Sequence, residues 1–195
     1  MGRGGAIAPR AGAKGNGTLY PNEAADDNPQ ADWAHRRFKG IGMQKTVTRQ
    51  ELETRVGEEL GVSDWFLVDQ ERVNEFADVT LDHQFVHVDP EKARATPFGG
   101  TIAHGFLTLS LLVHLCLQFV PVLAKRKLLV NYGFDKIRFS APVRVGKRIR
   151  AIAKLGSVEE RKPKQVLLRV DVTVEIEGET KPALVAEWLS MHVVG

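Results

Sequence analysis

Cysteine is almost absent from this chain: Cys116 is the only one. An internal disulfide framework is therefore excluded, and a reducing compartment, the cytosol, is expected. Cys116 also lies inside an apolar run, where a thiol serves as a small buried hydrophobe rather than a nucleophile. Excess charge of one sign is missing too. The 27 Lys and Arg stand against 24 Asp and Glu, a net +3. The cations are interleaved with acids and no basic stripe carries aromatic residues, so nucleic acid is not an expected partner. Met1 to Tyr20 contains no apolar segment, which argues against a signal peptide there. Ala6 occupies the position where N-myristoylation needs Ser or Thr. No internal repeat is present.

What remains is a chain of 195 residues, 43% hydrophobic and 26% charged, enough for one globular domain with sequence to spare. The spare part is at the start. Large apolar residues are so scarce there that residues 1–42 are expected to form a disordered N-terminal extension. Trp33 and Phe38 are its docking points, and Met43 is a candidate translation start. Residues 43–195 then make a single domain.

Within that domain, Leu52 and Val56 sit four apart in a short surface helix from Arg49 to Val56. Gly61 to Asp64 reads as a turn and Trp65 to Val68 as a first strand. Asp69 can cap a helix from Glu71 to Ala77, with Val73, Phe76 and Ala77 on one face. Asp89-Pro90 starts another, the carboxylate capping and the proline lacking an N–H that the first turn does not use. Phe106 to Ala124 is an apolar run long enough to weigh as a membrane span. Ser110, His114 and Gln118, spaced four apart, and Pro121 favour a buried central helix instead, with a polar row facing a subunit partner or buried water. Thereafter the period becomes two. Leu128 to Phe139, with a slip at Asp135-Lys136, then Ile149 to Leu155, Val166 to Ile176 and Leu184 to Val194 read as long antiparallel strands. The slip suggests a bulge. One buried helix before such a sheet gives an α+β domain in which the sheet wraps the helix. An exposed sheet edge would pair the domain with itself as a homodimer.

The chemistry concentrates between Asp82 and Gly105. Asp82 and His87 stand five apart in a short irregular segment, and His104-Gly105 opens the apolar run. A proton acceptor thus lies close to a helix N-terminus, whose free N–H groups favour developing negative charge. That combination suits chemistry on a polarised carbonyl. Taken alone, Asp82 reads better as an ordinary loop or capping aspartate and His87 as a satisfied buried histidine. His83 and His87 make half a metal site, but no further ligands follow at recognisable spacing, so no metal is expected. Ser110 has no nucleophile-elbow context.

From about Val47 onward the residues resemble the MaoC-like dehydratases, a hot-dog family that includes (R)-specific enoyl-CoA hydratases. Asp82, His87, Asp89-Pro90 and Ile102-Ala103-His104-Gly105 carry the resemblance, with Asn131-Tyr132-Gly133, Arg138-Phe139, Pro142-Val143 and Val145-Gly146 in support. Gln84-Phe85 replaces the Asn-Pro of many members, which is similar to the branch of NodN and the mycobacterial 3-hydroxyacyl-thioester dehydratases. The resemblance implies a hot-dog fold with one long central helix, and reversible hydration of trans-2-enoyl thioesters carried on CoA or a carrier protein. It implies Asp82 and His87 as the catalytic pair activating water, and the Gly105 backbone N–H as donor to the thioester oxygen. His104, Gln84 and Ser110 are possible supporting residues. No cofactor is implied. Two alternatives stay open, a hot-dog acyl-CoA thioesterase and a non-catalytic acyl-thioester-binding subunit.

Overall fold

The structure, a computed structural model, describes residues 45–195. The extension at 1–42, with Trp33 and Phe38, and the start at Met43 lie outside the described residues. In chain order the elements are β1 (Thr46–Val47), α1 (Arg49–Glu53), β2 (Glu59–Val62), β3 (Phe66–Leu67), α2 (Gln70–Thr80), α3 (Phe85–Val88) and α4 (Pro90–Arg94). There follow α5 (Gly105–Ser110), α6 (Leu112–Cys116), β4 (Val122–Leu123), β5 (Arg126–Phe139), β6 (Arg148–Lys162), β7 (Gln165–Ile176) and β8 (Leu184–Val194).

The sheet is built by alternation. On β7, Val166, Leu168, Val170, Val172, Val174 and Ile176 are buried, while Arg169, Asp171, Thr173 and Glu175 point to the other face and stay partly exposed. The strands run in the order β2-β6-β7-β8-β5, with β3 also on β6, and every pairing is antiparallel. Register against β8 slips between Phe134 and Lys136, which is the bulge expected at Asp135. The outer face is laced by cross-strand ion pairs, Arg150 to Glu175 at 2.7 Å, Lys136 to Glu187 at 2.7 Å and Arg148 to Glu177. The inner face packs Ile149, Ala151, Ala153, Val172 and Trp188 against Leu107, Leu112, Leu115 and Cys116 of the helix. Small side chains at Ala151, Ala153 and Ala186 give the helix room to approach. This is the hot-dog arrangement, an α+β fold.

Several expectations need correction in extent. The central helix does not reach Ala124. Leu111 N–H donates to Leu107 O and Leu115 N–H to Leu111 O, both at 3.0 Å, so α5 and α6 form one helix loosened at Leu111. It ends after Cys116 in turns, because Val120 precedes Pro121 and the ring disfavours helical backbone before it. At roughly 1.5 Å per residue that leaves about 18 Å of helix. Among the described residues, no helix is long and apolar enough to cross a membrane. The first surface helix stops at Glu53, held by a Thr48/Glu51 capping box, and Val56 is left exposed. Of the segment expected as a turn, Gly61 and Val62 instead end the edge strand β2, whose register slips between Glu59 and Gly61. Its polar residues hid it. Gly61 is required there, since a Cβ would lie 2.9 Å from the Phe119 side chain.

Candidate active site

α2 begins where Asp69 accepts a hydrogen bond from the Arg72 N–H at 2.8 Å. It ends at Leu81, whose left-handed backbone (φ 63°) turns the chain back toward the core. Asp82 follows, exposed, and the single helical turn α3 then buries His87, which is 8% exposed. Asp89 accepts from Lys92 N–H at 3.1 Å and Pro90 opens α4, so the turn carrying His87 is fixed from behind.

Two contacts orient the imidazole. Ile102 O can only accept, so His87 Nδ1, 2.7 Å away, carries the proton. The His87 Nε2 lone pair is then left bare. Ile102 N–H in turn donates to Val86 O at 3.0 Å, tying the Ile102–His104 segment to α3. His104 stacks on His87 with ring centroids 3.8 Å apart, and its Nε2–H donates to the Asp82 backbone carbonyl at 2.9 Å. Phe76 of α2 closes the far side of His104, 5.1 Å between centroids. His104 is 2% exposed and its Nδ1 has no partner among the described residues. Burial lowers the His87 pKa, opposed by the Ile102 carbonyl; the nearby His104 lowers it further and Asp82 raises it. The imidazole is therefore held neutral.

Polar side-chain atoms of Asp82, His87 and His104 all lie within 4.8 Å of one another. A metal does not fit this trio. The two rings are stacked, 3.8 Å between centroids and 27° from parallel, so their in-plane lone pairs do not converge on one ion. Gly105 is the first residue of α5, where an N–H has no intrahelical acceptor. A pocket of about 290 Å³ joins His87 to Gly105, walled by Ile102, Thr108, Phe139 and the Ser140–Val143 segment. A Cβ on Gly105 would stand 3.1 Å from the Phe139 ring.

Asp82, His87, His104 and Gly105 are thus brought together. Gln84 and Ser110 are not part of the cluster. Gln84 is the exposed residue before α3 and contributes its carbonyl to His87 N–H at 2.9 Å. Ser110 is exposed and its hydroxyl donates to Phe106 O at 2.8 Å. His83 turns away to the Asp78 carboxylate at 2.9 Å. The polar row on the helix is used inside the chain: Gln118 accepts from Asp64 N–H at 2.8 Å, and His114 packs edge-on to Phe66. One residue escaped sequence reasoning altogether. Gln70 Nε2–H donates to His87 O at 2.7 Å while its Oε1 accepts from the buried Thr101 hydroxyl at 2.5 Å. Nothing in the local pattern marks it, since both partners are distant in sequence.

The profile of the MaoC like domain matches residues 51–176. The chain is 52% identical over 143 residues to 3-hydroxyacyl-thioester dehydratase Z of Mycobacterium tuberculosis, covering 73% of this chain and 94% of that protein. It is 45% identical over 146 residues to Nodulation protein N of Rhizobium meliloti, covering 74% and 91%. The structure of the (R)-hydratase from A. caviae involved in PHA biosynthesis superposes with a TM-score of 0.58 at 26% identity, over 69% of this chain and 94% of that one. With a profile that spans most of the sequence and relatives covered nearly end to end, the chain belongs to the MaoC-like dehydratase family and is a hydro-lyase.

Proposed function

We infer that this enzyme reversibly hydrates trans-2-enoyl thioesters to (R)-3-hydroxyacyl thioesters, on CoA or a carrier protein. One observation carries the reading: a bare imidazole nitrogen and a free helix N–H share a single pocket, and the Asp82 carboxylate lies within 4.8 Å of that imidazole. Water addition to a conjugated thioester needs a base for the water, an acid for the α-carbon and a donor for the oxygen. Asp82 and His87 hold the water. His87 Nε2 takes one of its protons as the oxygen bonds to C3, and the electron pair of the double bond moves toward the thioester oxygen. The Gly105 N–H hydrogen-bonds that oxygen, an interaction of about 3 kcal/mol where comparable donors have been removed. The imidazolium then returns its proton to C2 on the same face. A lowered pKa suits this return, since it makes the imidazolium the stronger acid. The sum is one water added with no change of oxidation state, so no cofactor is assigned.

The enzyme acts as a homodimer paired along β5. Among the described residues that strand joins only β8, and its Leu128, Val130 and Tyr132 are 51%, 43% and 59% exposed, an unfinished edge. The test adds crotonyl-CoA and longer enoyl-CoAs and follows loss of the conjugated-enoyl absorbance. Absence of turnover on CoA and carrier-protein substrates alike refutes the reading. Release of free thiol to a trapping dye would instead mark a thioesterase.

A further inference from the structure

Hydroxyls on or just after the helices of this chain bond back to a carbonyl about one turn earlier. Thr80 donates to Phe76 O at 2.6 Å, Ser110 to Phe106 O at 2.8 Å, Thr54 to Glu51 O at 2.9 Å and Thr96 to Ala93 O at 2.6 Å. Thr108 is the exception. It is 2% exposed, and its hydroxyl has no hydrogen-bond partner among the described residues. The carbonyl of His104 lies one turn back and takes the Thr108 N–H at 3.2 Å, yet the hydroxyl leaves it alone. A hydroxyl cut off from bulk water and left unpaired is costly, unless something brought to it supplies the partner. Thr108 lines the same pocket of about 290 Å³ as His87 and Gly105. Ser140, the other hydroxyl residue in that wall, is only half-buried.

Thr108 follows Gly105 by three residues on α5, so the two occupy one face of the helix. Positions three apart stand about 5–6 Å from each other, and side chains lean toward the helix start, which carries Thr108 back toward the Gly105 N–H. Two donors about 5 Å apart can share one oxygen at normal hydrogen-bond lengths. Resting on the thioester-hydratase reading above, we propose that the Thr108 hydroxyl is a second donor to the thioester oxygen, beside the Gly105 N–H. A carbonyl oxygen has two lone pairs, and a single donor would leave one of them bare in an apolar pocket. As water adds to C3, the electron pair of the double bond moves onto that oxygen. The hydroxyl donates to the growing negative charge and keeps its proton, a charge-assisted bond that strengthens toward the transition state. Phe98, Ala141, Pro142, Val143 and Ala183 make the rest of the wall apolar, so a hydrocarbon acyl chain brings no other oxygen for Thr108 to serve. With no internal carbonyl to give up, the hydroxyl is ready when the thioester arrives.

The test compares Thr108→Val, which exchanges the hydroxyl for a methyl, with Thr108→Ser, which keeps it. With crotonyl-CoA, kcat falls about a hundredfold in Thr108→Val while KM changes little, and Thr108→Ser restores most of the loss. Isotope-edited infrared spectroscopy of bound butyryl-CoA, a saturated thioester that cannot be hydrated, reads the bond itself. Its carbonyl stretch lies below the free value in wild type and in Thr108→Ser, and returns part of the way in Thr108→Val. An unmoved stretch overturns the proposal even where kcat falls, since a hydroxyl that held the attacking water or shaped the wall would leave the carbonyl alone. A wild-type kcat in Thr108→Val overturns it too. The urea midpoint of Thr108→Val does not fall, because the hydroxyl bonds nothing in the folded chain; a fall would reveal an internal partner and overturn the premise. Should the valine variant not fold, Thr108→Ala is read by the same infrared shift. All of these failures leave wild-type turnover, and so the hydratase reading, intact. If wild type hydrates no enoyl thioester on CoA or carrier protein, the functional reading fails and the role of Thr108 with it.

Discussion

The surroundings of His87 fix which of its nitrogens is bare, and the proposed role as a base depends on that. With Nδ1–H committed to Ile102, any proton from water must go to Nε2. Replacing His87 with Ala should lower kcat by a factor of about 10²–10⁴, and Asp82→Asn should act similarly, with far-UV circular dichroism unchanged in the exposed Asp82 variant. Since burial lowers the His87 pKa, kcat/KM for hydration should stay flat through neutrality and fall only on the acid side of 6.5, the ordinary histidine value. Asp82 raises that pKa, so Asp82→Asn should move the imidazole titration still lower, as read by NMR of the ring. A shift upward would show that the carboxylate does not face the imidazole. At this scale the sequence was informative about the pair itself, because five-residue spacing and a following Asp-Pro are local. It was silent about Gln70, whose partners lie 17 and 31 residues away. Gln70→Ala leaves the buried Thr101 hydroxyl and the His87 carbonyl unsatisfied. It should cost about 1–3 kcal/mol in urea unfolding and reduce kcat, as the turn carrying His87 loses its brace.

The helix opening at Gly105 has two demands on one residue. In the proposed mechanism its N–H is the donor, and its α-carbon must accept the Phe139 ring, which would stand 3.1 Å from any Cβ. Phe139 is 47% exposed and can yield, so Gly105→Ala is expected to leave the melting temperature nearly unchanged, with crowding set against better helix propensity. The displaced ring enters the pocket, and kcat/KM should fall about tenfold, by analogy with the cost of a small misplacement in an active site. Gly105→Ala/Phe139→Leu should recover part of it; no recovery would remove the ring from the explanation. The start of this helix was legible because glycine after a histidine opens an apolar run. Its end was not. An apolar run continues through Leu117, Phe119 and Val120 whether the backbone is helical or turned, and the buried environment that rewards both is tertiary. β2 was missed for the converse reason. Glu59 and Gly61 carry little strand propensity, and β6 alone makes that segment a strand.

Across the whole molecule, alternation predicts a sheet with one dry face, and the dry face is where a polar group becomes a liability. His192 on β8 is 3% exposed; its Nε2 lies 3.1 Å from the Ser190 hydroxyl, and its Nδ1 has no partner among the described residues. It lines a chamber of about 30 Å³ with Cys116, Pro121, Arg126 and Trp188, at the helix end remote from Gly105. Burial, and secondarily the Arg126 charge, push its pKa down to about 4. The unfolded chain offers neither effect, so there His192 titrates near 6.5. Between those values the unfolded state binds a proton that the folded state refuses. Stability is therefore full above about pH 6.5 and declines as pH falls toward 4, by about 1.4 kcal/mol per unit and about 3 kcal/mol in total. His87 contributes in the same direction, which leaves some slope even without His192. Urea midpoints of wild type and His192→Gln, measured from pH 7.5 to pH 4.5, should differ most at neutrality and converge toward the acid end. The variant lacks the ionisable group and keeps an amide able to bond Ser190. Parallel curves at constant separation would mean that His192 is protonated in the folded state as readily as in the unfolded one, and that this end of the core is wetter than its burial implies.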